Sequence, residues 1–270
     1  MAMSRLGLSL GAAIIVVSGS HGVAAPQARE EAAGAKVWLG RAAEYEGFLK
    51  NAEVVRMEEI PVGVTKPVRC YFAPGGLVES MALKSIKPGR QTGYWESYRS
   101  EMAAYELDKL LDLQMIPPTV EKRVKGELGA AVMWISPVRS FKQMGGPPTP
   151  PPEHIDSWNR QMAKAKMFDN LINNRDPNLG NWLVDPAWNL ILIDHTRAFA
   201  IGKDMIHKLN RIEKGLWERM LALELGPLKA ALDPFLDGGQ IKDILGRRDK
   251  MKQEIDKLVA ERGQADVFFP

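Results

Sequence analysis

Between Asn174 and Asp194 the chain reads Asn-Arg-Asp-Pro-Asn-Leu-Gly-Asn-Trp-Leu-Val, then Asp-Pro-Ala-Trp-Asn, then Leu-Ile-Leu-Ile-Asp. Two short apolar runs flank a turn, the pattern of a hairpin. Pairing Trp182 with Ile193, Leu183 with Leu192 and Val184 with Ile191 sets Asn181 opposite Asp194. Opposed residues of an antiparallel ladder lie about 4.5 to 5.5 Å apart at Cα, so an amide oxygen and a carboxylate should emerge together at the open end. Mg²⁺ takes oxygen from a few such side chains and completes its shell with phosphate oxygens and water. Asp176 stands five residues before Asn181, close enough to face a substrate beside that metal. An aspartate, four residues, an asparagine, a hairpin and a second aspartate is the order that phosphoryl transfer uses. The first aspartate orients or deprotonates the attacking hydroxyl, and the other two side chains hold the metal ions.

Such a site needs a cation for the phosphates and an acid to hold that cation. Lys84 sits inside the apolar run Ser80-Met81-Ala82-Leu83-Lys84-Ser85-Ile86, where a charge requires a reason, and Glu101 lies near the start of the next helical stretch. Lys87 and Glu96 are the competing pair, in looser and more solvated surroundings. Between the first two strand-like runs, Gly63 in Pro61-Val62-Gly63-Val64-Thr65-Lys66 offers backbone amides toward phosphates, with Thr65 or Lys66 beside it.

The elements that position these residues follow from periodicity and breakers. Residues 29–51 carry Val37, Leu39, Ala43, Tyr45 and Phe48 among charged residues, the spacing of an amphipathic helix. Residues 53–60, 68–73 and a run through Ile86 read as a three-strand meander broken by Pro61, Gly63, Pro67 and Pro74-Gly75-Gly76. A helix over 98–113 ends at Pro117-Pro118, and strands over 118–124 and 128–135 meet at Lys125-Gly126. Residues 145–153 hold five prolines and read as a linker insert of extended geometry. Beyond them a helix over 154–173 places Ile155, Trp158, Met162, Ala165, Phe168 and Ile172 on a core stripe, and more helices run from 204 to the end.

Composition narrows the partners. The 270 residues carry 36 Lys plus Arg against 33 Asp plus Glu, a formal charge of +3, which gives no basis for nucleic-acid binding. One cysteine, Cys70, excludes an intrachain disulfide framework and reads as a buried filler in a strand. Arg5 followed by an apolar stretch over 6–19 and small residues near Ala24, Ala25 and Ala28 has the form of a secretory signal peptide. The apolar run is shorter than the roughly 18 residues a spanning helix needs, so export with cleavage, and no membrane span afterwards, is the expectation; an uncleaved segment would be an anchor.

The runs Ser100-Glu101-Met102-Ala103-Ala104-Tyr105-Glu106-Leu107-Asp108-Lys109-Leu110-Leu111, Ile116-Pro117-Pro118-Thr119-Val120, Phe168-Asp169-Asn170-Leu171-Ile172-Asn173-Asn174-Arg175-Asp176 and Leu192-Ile193-Asp194-His195-Thr196-Arg197-Ala198-Phe199 resemble the atypical protein-kinase-like superfamily. That group includes HipA-type kinases, the Golgi casein kinase and Four-jointed group, and the phosphatidylinositol kinases; the likeness covers residues 35–270 and is nearest to bacterial members. The resemblance implies an α+β, two-lobed protein-kinase-like fold; after the signal peptide at 1–25, the expected division is a β-rich lobe (βββαββ) with its N-terminal helix at 26–136, a hinge at 137–153 and a helical lobe at 154–270. It implies ATP with Mg²⁺ or Mn²⁺, Asp176 as catalytic residue, Asn181 and Asp194 as metal ligands, Lys84 as phosphate lysine and Glu101 as its partner. The chain departs from the group in two places. Asp176-Pro177-Asn178 replaces the Asp-Arg-His that relatives often carry, which removes a basic pair from the loop, and His195-Thr196 follows the metal aspartate in place of Asn-Gly or Phe-Gly. A structural role is the first expectation for His195.

Other chemistries are excluded by spacing. Asp176-x-Asn178-x-Gly180 starts like a calcium loop, but its twelfth position is Ala187 in place of a bidentate glutamate. No G-x-S-x-G elbow is present for a serine hydrolase. The sequence thus points to an ATP-dependent phosphotransferase acting on a hydroxyl of a protein, glycan, lipid or small molecule. The alternatives are an inactive kinase-fold binding protein and an adenylyl transferase on the same fold.

Overall fold

The structure is a computed structural model and describes residues 34–60, 67–91, 93–176 and 178–269. The signal peptide expected at residues 1–25, and Gly63 and Thr65, expected near the phosphates, lie outside the described residues. Among those described, no helix is long and apolar enough to cross a membrane.

Helix α1 (Ala42–Asn51) is shorter than the expected 29–51. Gly40 takes a positive φ of 72°, and Leu39 and Arg41 donate back to Lys36 and Trp38 in turns, so the described residues before it are coiled. The apolar spacing there reflects burial of Ala35 and Trp38. Strands β1 (Val54–Glu59), β2 (Val68–Phe72) and β3 (Ser80–Lys84) form the expected meander. With β6 (Thr119–Val124) and β7 (Glu127–Met133) they make an antiparallel sheet in the order β1-β2-β3-β7-β6. The β6–β7 turn places Lys125 and Gly126 at φ of 47° and 89°, the two positive values that a two-residue hairpin of the favoured twist demands.

Alternation along the strands divides the sheet into two faces. Val68, Cys70, Phe72, Met81 and Leu83 join Tyr45 and Leu49 of α1 in one core cluster. Lys84, with Ala130 as its cross-strand partner, lies on the opposite face, where Ala130 packs on Tyr98 and Met102 of α2 (Tyr98–Leu110). Between β3 and α2 the chain inserts a small hairpin absent from the sequence reading, β4 (Gly89–Gln91) with β5 (Tyr94–Glu96). Ser97 follows at once as the N-cap of α2, its side chain accepting from the Arg99 amide.

A short strand β8 (Arg139–Ser140) leads through the proline-rich segment to a 3-10 turn at Pro152–His154 and then to α3 (Ile155–Ile172). Trp158, Ala165, Phe168 and Ile172 are buried as expected, Met162 is half-buried, and Ile155, on the first turn, is 44% exposed. The hairpin of β9 (Trp182–Val184) and β10 (Leu190–Leu192) packs beside α3, and β8 adds to its edge. Strand β11 (Ile212–Glu213), α4 (Lys214–Leu221), α5 (Leu225–Leu232) and α6 (Gly238–Arg262) complete the helical half, closed by a parallel pairing of β11 with β12 (Phe268–Phe269). Helix α6 starts on a capping box of Asp237 and Gln240. Its buried Arg247 donates to the carbonyls of Leu171 and Gly202.

One carboxylate ties the turn of the β9–β10 hairpin to the start of the described chain. Asp185, 4% exposed, accepts from the amides of Ala35 (2.7 Å) and Asn189 (2.8 Å) and from the Asn189 side chain (2.9 Å). Removing a buried acceptor strands its donors at about 1 to 3 kcal/mol each when no water replaces it. Asp185→Ala is therefore expected to lower stability by about 3 kcal/mol and Asp185→Asn by less, measured by urea unfolding.

Candidate active site

The structure brings Lys84, Glu101 and Asp194 into one contact. Lys84 Nζ lies 2.6 Å from Glu101 Oε1 and 2.8 Å from Asp194 Oδ1. The lysine and glutamate side chains are 7% and 2% exposed, and the aspartate 25%. Strand β3 aims Lys84 off the sheet face toward α2, whose first turn carries Glu101. The second carboxylate comes from much further along the chain, 110 residues on. The competing pair is not one: Lys87 is exposed, whereas Glu96 is 3% exposed and bound to Arg197 at 2.7 Å. The expectation of a solvated Glu96 is thus corrected, because a distant arginine neutralises it.

Asp194 arrives by a different route from the one its spacing suggested. The β9–β10 register pairs Trp182 with Leu192, Leu183 with Ile191 and Val184 with Leu190, one residue off the expected ladder. Asn181 therefore opposes Ile193, whose amide donates to the Asn181 carbonyl at 3.0 Å. A turn one residue shorter than expected accounts for the slip: Trp188 takes φ 61° inside a tight loop that Asp185 closes onto Asn189. Asp194 then adopts φ 64°, a left-handed bend that leaves the strand path and delivers its carboxylate to Lys84. Thr196 Oγ1 donates to the same Oδ1 at 3.0 Å. The Asn181 side chain, 8% exposed as a residue, donates to the Asp176 carbonyl at 3.4 Å. Asp176 itself is braced by its amide bond to Asn174 Oδ1 at 3.2 Å.

His195 contributes through its backbone, whose N–H donates to Glu101 Oε1 at 2.9 Å. Its ring is 1% exposed, edge-on to Phe168, with Nδ1 3.6 Å from Glu101 Oε2 and without a hydrogen-bond partner among the described residues. Arg197, three residues past Asp194, is the side chain that sequence reasoning passed over. It reaches Glu96 through Nε and places Nη1 3.6 Å from Asp176 Oδ2. A signal was present: Glu96 immediately precedes the cap of a helix in an aromatic run, a poor place for an unpaired acid.

These contacts set the charge states. Burial alone would raise the Glu101 carboxyl, but the Lys84 ammonium and His195 outweigh it and hold it down to about 2. Burial would likewise lower Lys84, and the paired carboxylates of Asp194 and Glu101 instead keep it above its ordinary range. Burial, and next the charge of Asp194, push the Asp176 carboxyl up, against the pull of Arg197. A carboxylate whose ionisation a neighbouring carboxylate disfavours is suited to share a cation with it. Both bonds that Asp194 accepts fall on Oδ1, and its Oδ2 and the Asn181 amide oxygen take no protein donor among the described residues. Among those residues no group of three His, Cys, Asp or Glu side chains could hold a metal ion. A divalent ion here would draw on Asn181, Asp194 and ligand oxygens, the donor set that suits Mg²⁺.

Breaking a buried ion pair from one side costs far more than replacing it whole. Lys84→Met is expected to destabilise the fold by about 3 to 5 kcal/mol, while Lys84→Met/Glu101→Leu recovers most of that loss in denaturant titrations. Because the folded-state Glu101 carboxyl is held below its ordinary 4.5, its stabilisation is full above that pH and is lost as pH falls toward about 2. The stability difference between the natural protein and that double variant should narrow across the same window.

No protein-family model matches the sequence, and no curated protein matches it. Solved structures do match. The Golgi casein kinase with Mn and ADP bound superposes with a TM-score of 0.65 at 13% identity, covering 84% of this chain and 78% of that one. A hydra Fam20 structure with sugar gives 0.64 at 14% identity over 84% and 92%. At such identity the likeness shows the fold alone: the chain has the two-lobed α+β architecture of these kinase structures.

Proposed function

We propose that the protein transfers the terminal phosphoryl group of a nucleoside triphosphate, ATP in the simplest case, to a hydroxyl acceptor. The observation that carries this reading is the buried Lys84 held between Glu101 and Asp194, with Asp176 on the same site. Lys84 faces the phosphates, and Glu101 keeps it extended. Asp194 and Asn181 would hold Mg²⁺ or Mn²⁺, which when bound neutralises charge on the phosphates. Asp176 orients the acceptor hydroxyl and takes its proton as the new O–P bond forms and the bond to the leaving diphosphate breaks. Its raised carboxyl suits a group that must accept a proton. Gly63 and Thr65, which lie between β1 and β2 in sequence, are assigned to phosphate binding. The acceptor is a protein, glycan, lipid or small molecule.

In this reading residues 1–25 direct export, 26–136 form the β-rich lobe, 137–153 the hinge and 154–270 the helical lobe. A mass measurement of the mature N-terminus should show loss of about the first 25 residues; an intact Met1 would make the segment an anchor. For the activity, calorimetry should show ATP binding that requires Mg²⁺ and weakens at least tenfold in Asp194→Ala, with a cooperative melting transition retained. Absence of binding by the natural protein would favour a kinase-fold binding role without phosphotransfer. Labelled adenylate on the acceptor in place of labelled phosphate would assign nucleotidyl transfer.

A further inference from the structure

The loop that carries Asp176 holds no cation of its own from Asp176 to Asn181. The nearest one in sequence, Arg175, belongs elsewhere: its guanidinium sits 3.9 Å from Asp204 and against Gly202. A carboxylate that must guide a hydroxyl toward a polyanion, beside a second carboxylate, needs a fixed positive neighbour to keep its place. Arg197 has the attributes of that neighbour. Its side chain is 14% exposed, and Nε donates to the buried Glu96 at 2.7 Å. The guanidinium lies 4.6 Å from the centre of the Tyr94 ring, and Nη1 is 3.6 Å from Asp176 Oδ2. Both anchors, Tyr94 and Glu96, belong to β5 of the small hairpin.

We propose that Arg197 is the positioning residue for Asp176, and that the β4–β5 hairpin is part of the catalytic apparatus because it fixes Arg197 from behind. The proposal deepens the phosphoryl-transfer reading and rests on it. The planar fork of arginine suits the role, since one edge is spent on Glu96 and the other is presented to Asp176, a geometry that a lysine cannot reproduce. Glu96 in turn has a reason to be buried, because it holds the guanidinium in one orientation. Among the described residues no hydrogen bond or ion pair joins the hairpin to Lys84, Glu101 or Asp194, so phosphate and metal binding should be separable from this arrangement.

The experiment measures Mg²⁺-dependent ATP binding by calorimetry alongside release of labelled phosphate to water or onto the chain itself. The proteins are the natural one, Arg197→Gln, Arg197→Lys, Asp176→Asn and Asp176→Asn/Arg197→Gln. Glutamine keeps a donor for Glu96, so the fold is retained, and the melting temperature verifies this. Misplacing a reacting group by about 1 Å costs on the order of 100-fold. Arg197→Gln should therefore lose about that factor in turnover with KM and affinity for ATP within twofold, and Arg197→Lys should recover only part of it. In the Asp176→Asn background the Arg197→Gln change should add no further loss, because its effect passes through Asp176. Independent, additive losses, or a fall in ATP affinity equal to the fall in turnover, would overturn the assignment. Full turnover in Arg197→Gln would overturn it while leaving the phosphoryl-transfer reading intact. A natural protein that binds no ATP, or binds it and releases no phosphate, would overturn both.

Discussion

A lysine ammonium removed from water has to be matched, and the match at Lys84 dictates how the molecule is put together. Its two carboxylates come from different halves: Glu101 from the helix packed on the sheet, Asp194 from the segment after β10. An unpaired buried charge costs several kcal/mol, and the second carboxylate on this ammonium couples the sheet-bearing half to the segment after β10. The surrounding contacts serve the same end. The His195 amide donates to Glu101, Thr196 donates to Asp194, and Ser97, next to the capped start of α2, donates its backbone amide to Thr196. Residues 194 to 198 are thereby stitched to the first turn of α2, with Ser100 Oγ donating to the Ala198 carbonyl as a further tie.

Much of this was legible beforehand for a local reason. The meander, α2, the β6–β7 hairpin and α3 lie within a few residues of where periodicity and breakers put them, because each is specified by neighbours in sequence. Lys84 and Glu101 could be paired because a charge within an apolar strand has few excuses. What escaped the sequence was non-local or too short to carry a period. The strands β4 and β5 are three residues each, below any useful alternation signal. The Arg197–Glu96 pair spans 101 residues, and Asp185 reaches Ala35 across 150.

The hairpin register is the instructive error. In a ladder, a slip of one residue turns every side chain to the other face, so the observed pairing would by itself aim Asp194 away from Asn181. The left-handed φ of Asp194 undoes the slip locally: the chain leaves the strand direction at that residue and its carboxylate reaches Lys84 all the same. Backbone in that region is uncommon for residues other than glycine and persists where surrounding contacts over-determine it. Here the determinants are visible, since Lys84 and Thr196 hold the side chain and Glu101 holds the next amide.

The same hairpin is restrained at its other end. Asp185 binds the Ala35 amide, and the adjoining Lys36 donates to the Gln114 carbonyl just past α2, while burial lowers its amine to about 8. Asp108 of α2 gathers the amides of Gln114, Met115 and Ile116, so that turn is itself rigid. The Leu192 amide then donates to the Met115 carbonyl at 2.9 Å. The segment from 182 to 194 is thus clamped at its turn, along its second strand and at its open end, each time to the body that carries Lys84 and Glu101. A hairpin held at three points has little freedom to rotate, and the Asp194 carboxylate and Asn181 amide at its mouth inherit that rigidity. Precision at Asp176, on the longer loop before the hairpin, has to come from elsewhere, and that is the place where Arg197 stands.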